Sequence, residues 1–213
     1  MKSAFPTPRA LPRVHREFPH EQVAAHVREL LSLIGENPNR EGLLETPERV
    51  ARAWESLLEG YAQDERRALR TVFTLEEAAP GSDLVVVQDI EFESLCEHHL
   101  LPMRGKCHIA YIPGRRIIGL SKIPRLIELY AKRLQVQERL TAQIANALMM
   151  HLKPRGVLVI TQAVHFCMIM RGVEKQLSHT TCATVRGIFE KRRDLELKVQ
   201  GYLQLPFTPH GRK

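Results

Sequence analysis

The sequence predicts an α+β fold: an antiparallel β-sheet with helices packed on one face, in the order ββααββ, preceded by an N-terminal helical pair. Three observations predict it. Apolar residues recur at helical spacing over 21–61 and again over 121–148. Two pairs of apolar or alternating runs flank that second helical stretch. Strands grouped in pairs around helices, and not alternating singly with them, favour an antiparallel sheet over a parallel one.

The elements follow in order. Val23, Val27, Leu30, Leu31 and Ile34 form a helical stripe, and Gly35 is placed to end it. Thr46-Pro47 reads as an N-cap and first helical position, opening a helix whose inner stripe is Val50, Trp54, Leu57 and Tyr61. Leu84 to Phe92 is the first long strand. The next begins after Arg104, alternates through Cys107, Ile109 and Tyr111, and turns at Pro113-Gly114 into Ile117 and Ile118. Ser121 is placed to cap a helix carrying Leu126, Ile127, Tyr130 and Leu134. A further helix carries Leu140, Ile144 and Leu148 and stops before Lys153-Pro154-Arg155-Gly156. Val157 to Ile160 opens a strand that continues into Phe166 to Met170, and Thr180 to Phe189 is the last strand. Leu195 and Val199 mark a short C-terminal helix. The expected organisation is a flexible basic tail over 1–19, a helical unit over 20–62 and a main domain over 63–213.

Composition narrows the function classes. A chain of 213 residues with 44% hydrophobic and 26% charged residues is globular, and long enough to bury a core without disulfide or metal staples. No run approaches the roughly 18 apolar residues of a membrane span. Prolines and arginines interrupt the first twenty residues where a signal peptide would carry its apolar centre. A cytoplasmic protein with no membrane partner is expected. The 31 Lys and Arg against 24 Asp and Glu leave a net charge of +7, which suits a polyanionic partner or a phosphorylated metabolite. With aromatics at only 6%, platforms for stacking single-stranded nucleic acid are few, and a small phosphorylated ligand is the better expectation.

Four cysteines without an export signal point to metal binding or burial before disulfides. Cys96 and His99 stand two residues apart, a spacing that aims a thiolate and an imidazole at one ion. His98 lies between them, and a second cluster, His165-Phe166-Cys167, lies far along the chain. A zinc site with three protein ligands and one open position would be catalytic, not structural. Spacing leaves Cys107, Cys167 and Cys182 open as the third ligand. Ser121, Lys122 and Arg125 put a hydroxyl and two cations at a helix start, where an anion or an ordinary cap is equally at home. Arg171 suits bidentate phosphate contacts. Glu138 opens the next helix, where an acidic residue is common for dipole reasons alone.

Taken together, Cys96-Glu97-His98-His99, Gly119-Leu120-Ser121-Lys122, Gln135 to Thr141, His165-Phe166-Cys167 and Met170-Arg171-Gly172 resemble the zinc-dependent type of GTP cyclohydrolase I. The likeness runs from about Gly42 to Phe189. It implies the tunnelling fold and a toroidal homodecamer of two pentamers with active sites at subunit interfaces. It also implies Zn2+ as cofactor and conversion of GTP and water to 7,8-dihydroneopterin triphosphate and formate. Carried over by position, Cys96, His99 and Cys167 are the implied zinc ligands, and His98 and His165 the proton-transfer residues. Ser121 is implied to assist at the ribose. Gln137 and Glu138 are the implied guanine contacts, and Lys122, Arg125, Arg171 and Arg49 the implied triphosphate contacts. A nitrile reductase of the same fold, or a basic nucleic-acid-binding module with structural zinc, is the competing reading; stoichiometric zinc and formate release distinguish them.

Overall fold

The computed structural model describes residues 17–69, 72–74 and 84–205. The tail expected over 1–19 lies outside them as far as residue 16. The chain divides into two compact units, one ending at Ala62 and the other beginning at Gln63.

In the first unit, α1 (His20–Leu33) packs against α2 (Thr46–Leu57). Gly35, at φ 90°, ends α1: its N–H donates to Ser32 and that of Glu36 donates back to Leu31, the paired bonds of a Schellman motif. Helix α2 starts one residue before the expected position, so Thr46 is its first residue and Glu45 the flanking one. The residues it buries are Pro47 and Ala51, while Leu57 of the expected stripe is exposed.

The second unit opens with the turn α3 (Glu65–Ala68), then β1 (Val72–Thr74), β2 (Val85–Cys96), β3 (Pro102–Ile112) and β4 (Arg116–Ile118). Next come α4 (Lys122–Ala131), β5 (Leu134–Gln135) and α5 (Gln137–Leu152). The turn α6 (Phe166–Ile169) joins β6 (Gly156–His165) to β7 (Thr180–Gly187), and α7 (Arg193–Leu203) follows. The sheet order is β5-β2-β3-β6-β7, antiparallel throughout except that the two-residue β5 runs parallel to β2. Strands β1 and β4 form a separate antiparallel pair.

One sheet face carries Cys107, Ile109, Tyr111, Val157 and Val159, buried under Ile123, Leu126 and Ile127 of α4 and Leu140, Ile144 and Leu148 of α5. Each fully buried aliphatic side chain here contributes about 1.5–3 kcal/mol relative to exposure. The alternate residues Ala110, Ile112 and Leu158 point the other way, where Phe189 and Leu195 and Val199 of α7 cover them. The α+β architecture, the strand pairs and the short last helix are as the sequence predicts.

Strand β2 runs on past Phe92 to Cys96 and β3 begins already at Pro102, and three further boundaries differ for reasons visible in the fold. Leu134 does not continue α4. Ser94 Oγ donates to the Ala131 carbonyl at 2.5 Å and Gln135 Nε2 to that of Tyr130 at 2.9 Å, so side chains take over carbonyls that another helical turn would bond. Phe166 to Met170 is a helical turn, closed by Met170 N–H donating to Phe166 at 3.0 Å, and not a continuation of β6. Strand β7 stops at Gly187, and Phe189 enters the core from the 3-10 turn Ile188–Glu190.

Candidate metal centre and its surroundings

Strands β2 and β3 are joined by a tight loop that closes on itself. The Cys96 N–H donates to Leu101 and the Leu100 N–H to Cys96, both at 2.8 Å, with Leu100 held at φ 56°. Glu97 N–H donates to the Gln135 carbonyl of β5 at 3.0 Å. This loop buries Cys96 and leaves His98 and His99 exposed beside it. The other half of the site comes through the sheet. Met103 of β3 pairs with His165 of β6, so Cys167, two residues on, is delivered to the hairpin end.

The donor atoms of Cys96, His99 and Cys167 lie within 4.8 Å of one another, as ligands converging on a single ion require. Two thiols and an imidazole are a donor set that zinc favours. Burial pushes the Cys167 thiol above its ordinary value, with the neighbouring Cys96 adding to it and the Arg171 guanidinium opposing. Binding of a dication to thiols releases their protons, so loading such a site is coupled to pH. The other two cysteines that spacing left open stand apart from this group. Cys107 is fully buried in the core, where burial drives its thiol pKa far upward. Cys182 lies on β7; burial, then the charge of Glu138, pushes its thiol up.

The two flanking histidines are placed differently. His98 Nδ1 lies 3.9 Å from Cys96 Sγ. His165 Nε2 lies 2.8 Å from Gln137 Oε1, and burial lowers its pKa while the Glu138 carboxylate opposes that shift. Gln137 itself is 1% exposed. Its Nε2 donates to the carbonyls of Thr161 and Thr180 at 3.0 Å and to Thr161 Oγ1 at 3.1 Å. Glu138 is exposed at the start of α5.

The expected anion residues fall in three places. Arg171 donates to His99 Nε2 at 3.4 Å and so belongs to the metal group. Ser121, Lys122 and Arg125 share the first turn of α4, where the Ser121 hydroxyl makes no capping bond. Among the described residues, none of these three makes a hydrogen bond or ion pair with the metal group. Arg49 lies on α2 in the N-terminal unit, paired with Glu45 at 2.5 Å. Sequence reasoning missed the support beneath the site: Thr141, Thr161 and Thr180 around Gln137, and Arg139 bonded to Glu97. The signal available was Thr161, a polar residue inside an apolar strand and 0% exposed.

Comparison with known proteins bears on this geometry. The family model described as GTP cyclohydrolase I matches residues 23–204. A GTP cyclohydrolase 1 of Deinococcus radiodurans is 51% identical over 182 residues, covering 83% of this chain and 82% of the relative. That of Bartonella henselae is 52% identical over 173 residues, covering 81% and 83%. That of Brucella canis is 47% identical over 186 residues, covering 87% and 86%. A match over most of the chain, at about half identity, leaves one conclusion: the chain belongs to the GTP cyclohydrolase I family.

Proposed function

We propose that this protein is a zinc-dependent GTP cyclohydrolase I, converting GTP and water to 7,8-dihydroneopterin triphosphate and formate, the first step of folate- and tetrahydrobiopterin-type pterin biosynthesis. The observation that carries the reading is the convergence of Cys96, His99 and Cys167, with His98 Nδ1 3.9 Å from Cys96 Sγ and His165 two residues before Cys167. Cys96, His99 and Cys167 would hold the ion. When bound, zinc supplies Lewis-acid activation of water near neutral pH.

The chain's own residues account for the remaining chemistry. Glu138 accepts from N1–H and the exocyclic amine of guanine, a charge-assisted bidentate contact. Gln137 contributes at the same helix start through its backbone N–H, one of the donors that α5 leaves unbonded within the helix. His98 and His165 move protons at the imidazole ring of the purine and at the ribose, tasks suited to an imidazole, which can donate at one nitrogen and accept at the other. Ser121 assists at the ribose, and Lys122, Arg125, Arg171 and Arg49 hold the triphosphate. Such positioning is worth on the order of several kcal/mol toward the barrier.

The same reading assigns catalysis to residues 63–213, with 20–62 as a helical appendage and 1–19 as a basic tail. It makes the active protein a homodecamer of two pentamers with sites at subunit interfaces. Supporting this, Ser121 and Arg125 are exposed at the start of α4 and, among the described residues, make no hydrogen bond or ion pair with the metal group of their own chain. Among the described residues, outer strand β7 pairs only with β6, and β2 meets β5 over only two residues, so both sheet edges offer backbone for pairing. A cytoplasmic location fits four free cysteines and the absence, among the described residues, of a helix long and apolar enough to cross a membrane.

Incubation of the purified protein with GTP tests the proposal. Formate, an oxidisable fluorescent pterin and about one zinc per subunit are expected. Zinc-replete protein that releases no formate overturns it.

A further inference from the structure

The direction of every hydrogen bond beneath His165 follows from atoms that cannot donate. Gln137 Nε2 lies 3.0 Å from two backbone carbonyls, those of Thr161 and Thr180. Carbonyl oxygens only accept, so the group facing them is the amide NH2, and the side chain has one permitted orientation. The threonines agree. Thr141 gives its single hydroxyl hydrogen to the Gln137 backbone carbonyl at 2.7 Å, so in its 2.7 Å contact with Thr161 it accepts and Thr161 donates. Thr161 Oγ1 is then free to accept from Gln137 Nε2 at 3.1 Å. Reversing the amide would set its oxygen against two carbonyl oxygens, with Gln137 itself 1% and Thr161 0% exposed.

Gln137 Oε1 is therefore turned toward His165 Nε2, at 2.8 Å. An amide oxygen carries no hydrogen, so the proton in this contact belongs to the ring. We infer that Gln137 is a positioning residue holding neutral His165 as its Nε2–H tautomer, which leaves Nδ1 as the nitrogen that exchanges a proton with substrate. This specifies where the hydrogen of the neutral ring sits and makes no demand on when the ring becomes charged. It also explains why a glutamine whose side chain has no donor left for a purine stands at the start of α5. The inference rests on the proton-transfer role proposed for His165.

Solid-state NMR of the zinc-loaded, full-length protein with labelled histidine reads the tautomer directly, the His165 signals being identified by their loss in His165→Asn. The Nε2–H form is expected in the wild type; the Nδ1–H form overturns the inference. In Gln137→Met, which fills similar volume without an acceptor, the Nε2–H signature is expected to weaken. Its kcat is expected to fall on the order of 10²-fold. KM for GTP should stay within about twofold, as expected for an interaction that matters in the transition state. Gln137→Met with unchanged tautomer and kcat overturns the inference, and if that variant does not fold, the wild-type spectrum decides alone. Failure of the wild type to release formate from GTP would count against the proposed reaction, whereas a wild-type Nδ1–H ring counts against the role of Gln137.

Discussion

Arg139 reaches back 42 residues along the chain to the carboxylate of Glu97, which stands between Cys96 and His98 in the hairpin loop. The same guanidinium donates to Gln135 Oε1 and to the Leu134 carbonyl, both at 3.0 Å. Its hydrogen bond holds the Glu97 carboxyl below the usual carboxylate range. The loop bearing two of the metal donors is thus tied to the start of the helix that bears Glu138.

With side chains 35% and 34% exposed, the Arg139–Glu97 pair should add little to global stability, up to about 1 kcal/mol. Its expected effect is local. Arg139→Ala should melt close to wild type while losing zinc to a competing chelator about 10–100-fold more readily, as removal of groups that orient metal ligands usually does. Unchanged chelator kinetics would show that the loop holds its shape without the pair.

The cysteines should separate cleanly by metal content. Cys167→Ser is expected to lose zinc and turnover, because it removes one of three converging donors. Cys107→Ser should keep its zinc but lose stability, because it places a hydroxyl in a fully buried apolar position. Atomic emission together with thermal melting checks both; zinc loss in Cys107→Ser alone would reverse the assignment.

Glu138→Ala should retain zinc and lose most kcat/KM for GTP. Adenine lacks the N1–H that the proposed contact requires, so ATP should not turn over; an acceptor covered by bound purine without its donor costs about 1–3 kcal/mol, and more when charged. If Glu138 served only the dipole of α5, the variant would lose about 0.3–1 kcal/mol of stability and keep near-normal kinetics.

His108 introduces a pH dependence unrelated to catalysis. Its Nδ1 accepts from the Asp89 N–H at 3.2 Å, at the bulge where β2 shifts register against β3. Burial lowers its pKa below the ordinary 6.5, opposed by the charge of Asp89. The unfolded chain therefore takes up this proton before the folded one does. The contribution is complete above pH 6.5 and is lost as pH falls toward the lower folded value. Melting temperature should fall more steeply with acidification in the wild type than in His108→Asn, and identical slopes would remove His108 as the cause.

Gly105→Ala should be severely destabilising. A Cβ there would stand 1.9 Å from the Gln162 carbonyl oxygen, where β3 and β6 pass with no room between them. A clash with backbone cannot be relieved by a rotamer change, and equilibrium denaturation should show a loss well beyond the roughly 1 kcal/mol of an average substitution.

Much of this was legible in the residue order, because long periodic segments carry their own signature. The stripes of α4 and α5 and the alternation of Cys107, Ile109 and Tyr111 are buried as read. Phe166 to Met170 was misread because a five-residue apolar run fits a strand and a helical turn equally well. Leu134 does not continue the helix although its helical spacing from Tyr130 is real, because Ser94, which takes the Ala131 carbonyl, acts from β2, and Gln135 turns its amide back onto Tyr130. The metal donors announce themselves by type and spacing. Thr141, Thr161 and Thr180 do not, since their function lies in the direction of hydrogen bonds that exist only once α5, β6 and β7 are packed.

The hairpin and the β6 end meet through a third strand, β3, which pairs with both β2 and β6. Two of the three metal donors take their positions from the first pairing and the third from the second. A slip of one residue between β3 and β6 would carry Cys167 about 3.3 Å along the sheet and turn its strand's side chains to the opposite face. The donor triad consequently works as a vernier on sheet alignment: a chain with one strand misregistered can be compact and well hydrogen-bonded yet unable to close the triad. An ion held by the proposed triad would then select correctly aligned molecules, and metal affinity would measure folding fidelity as well as chemistry.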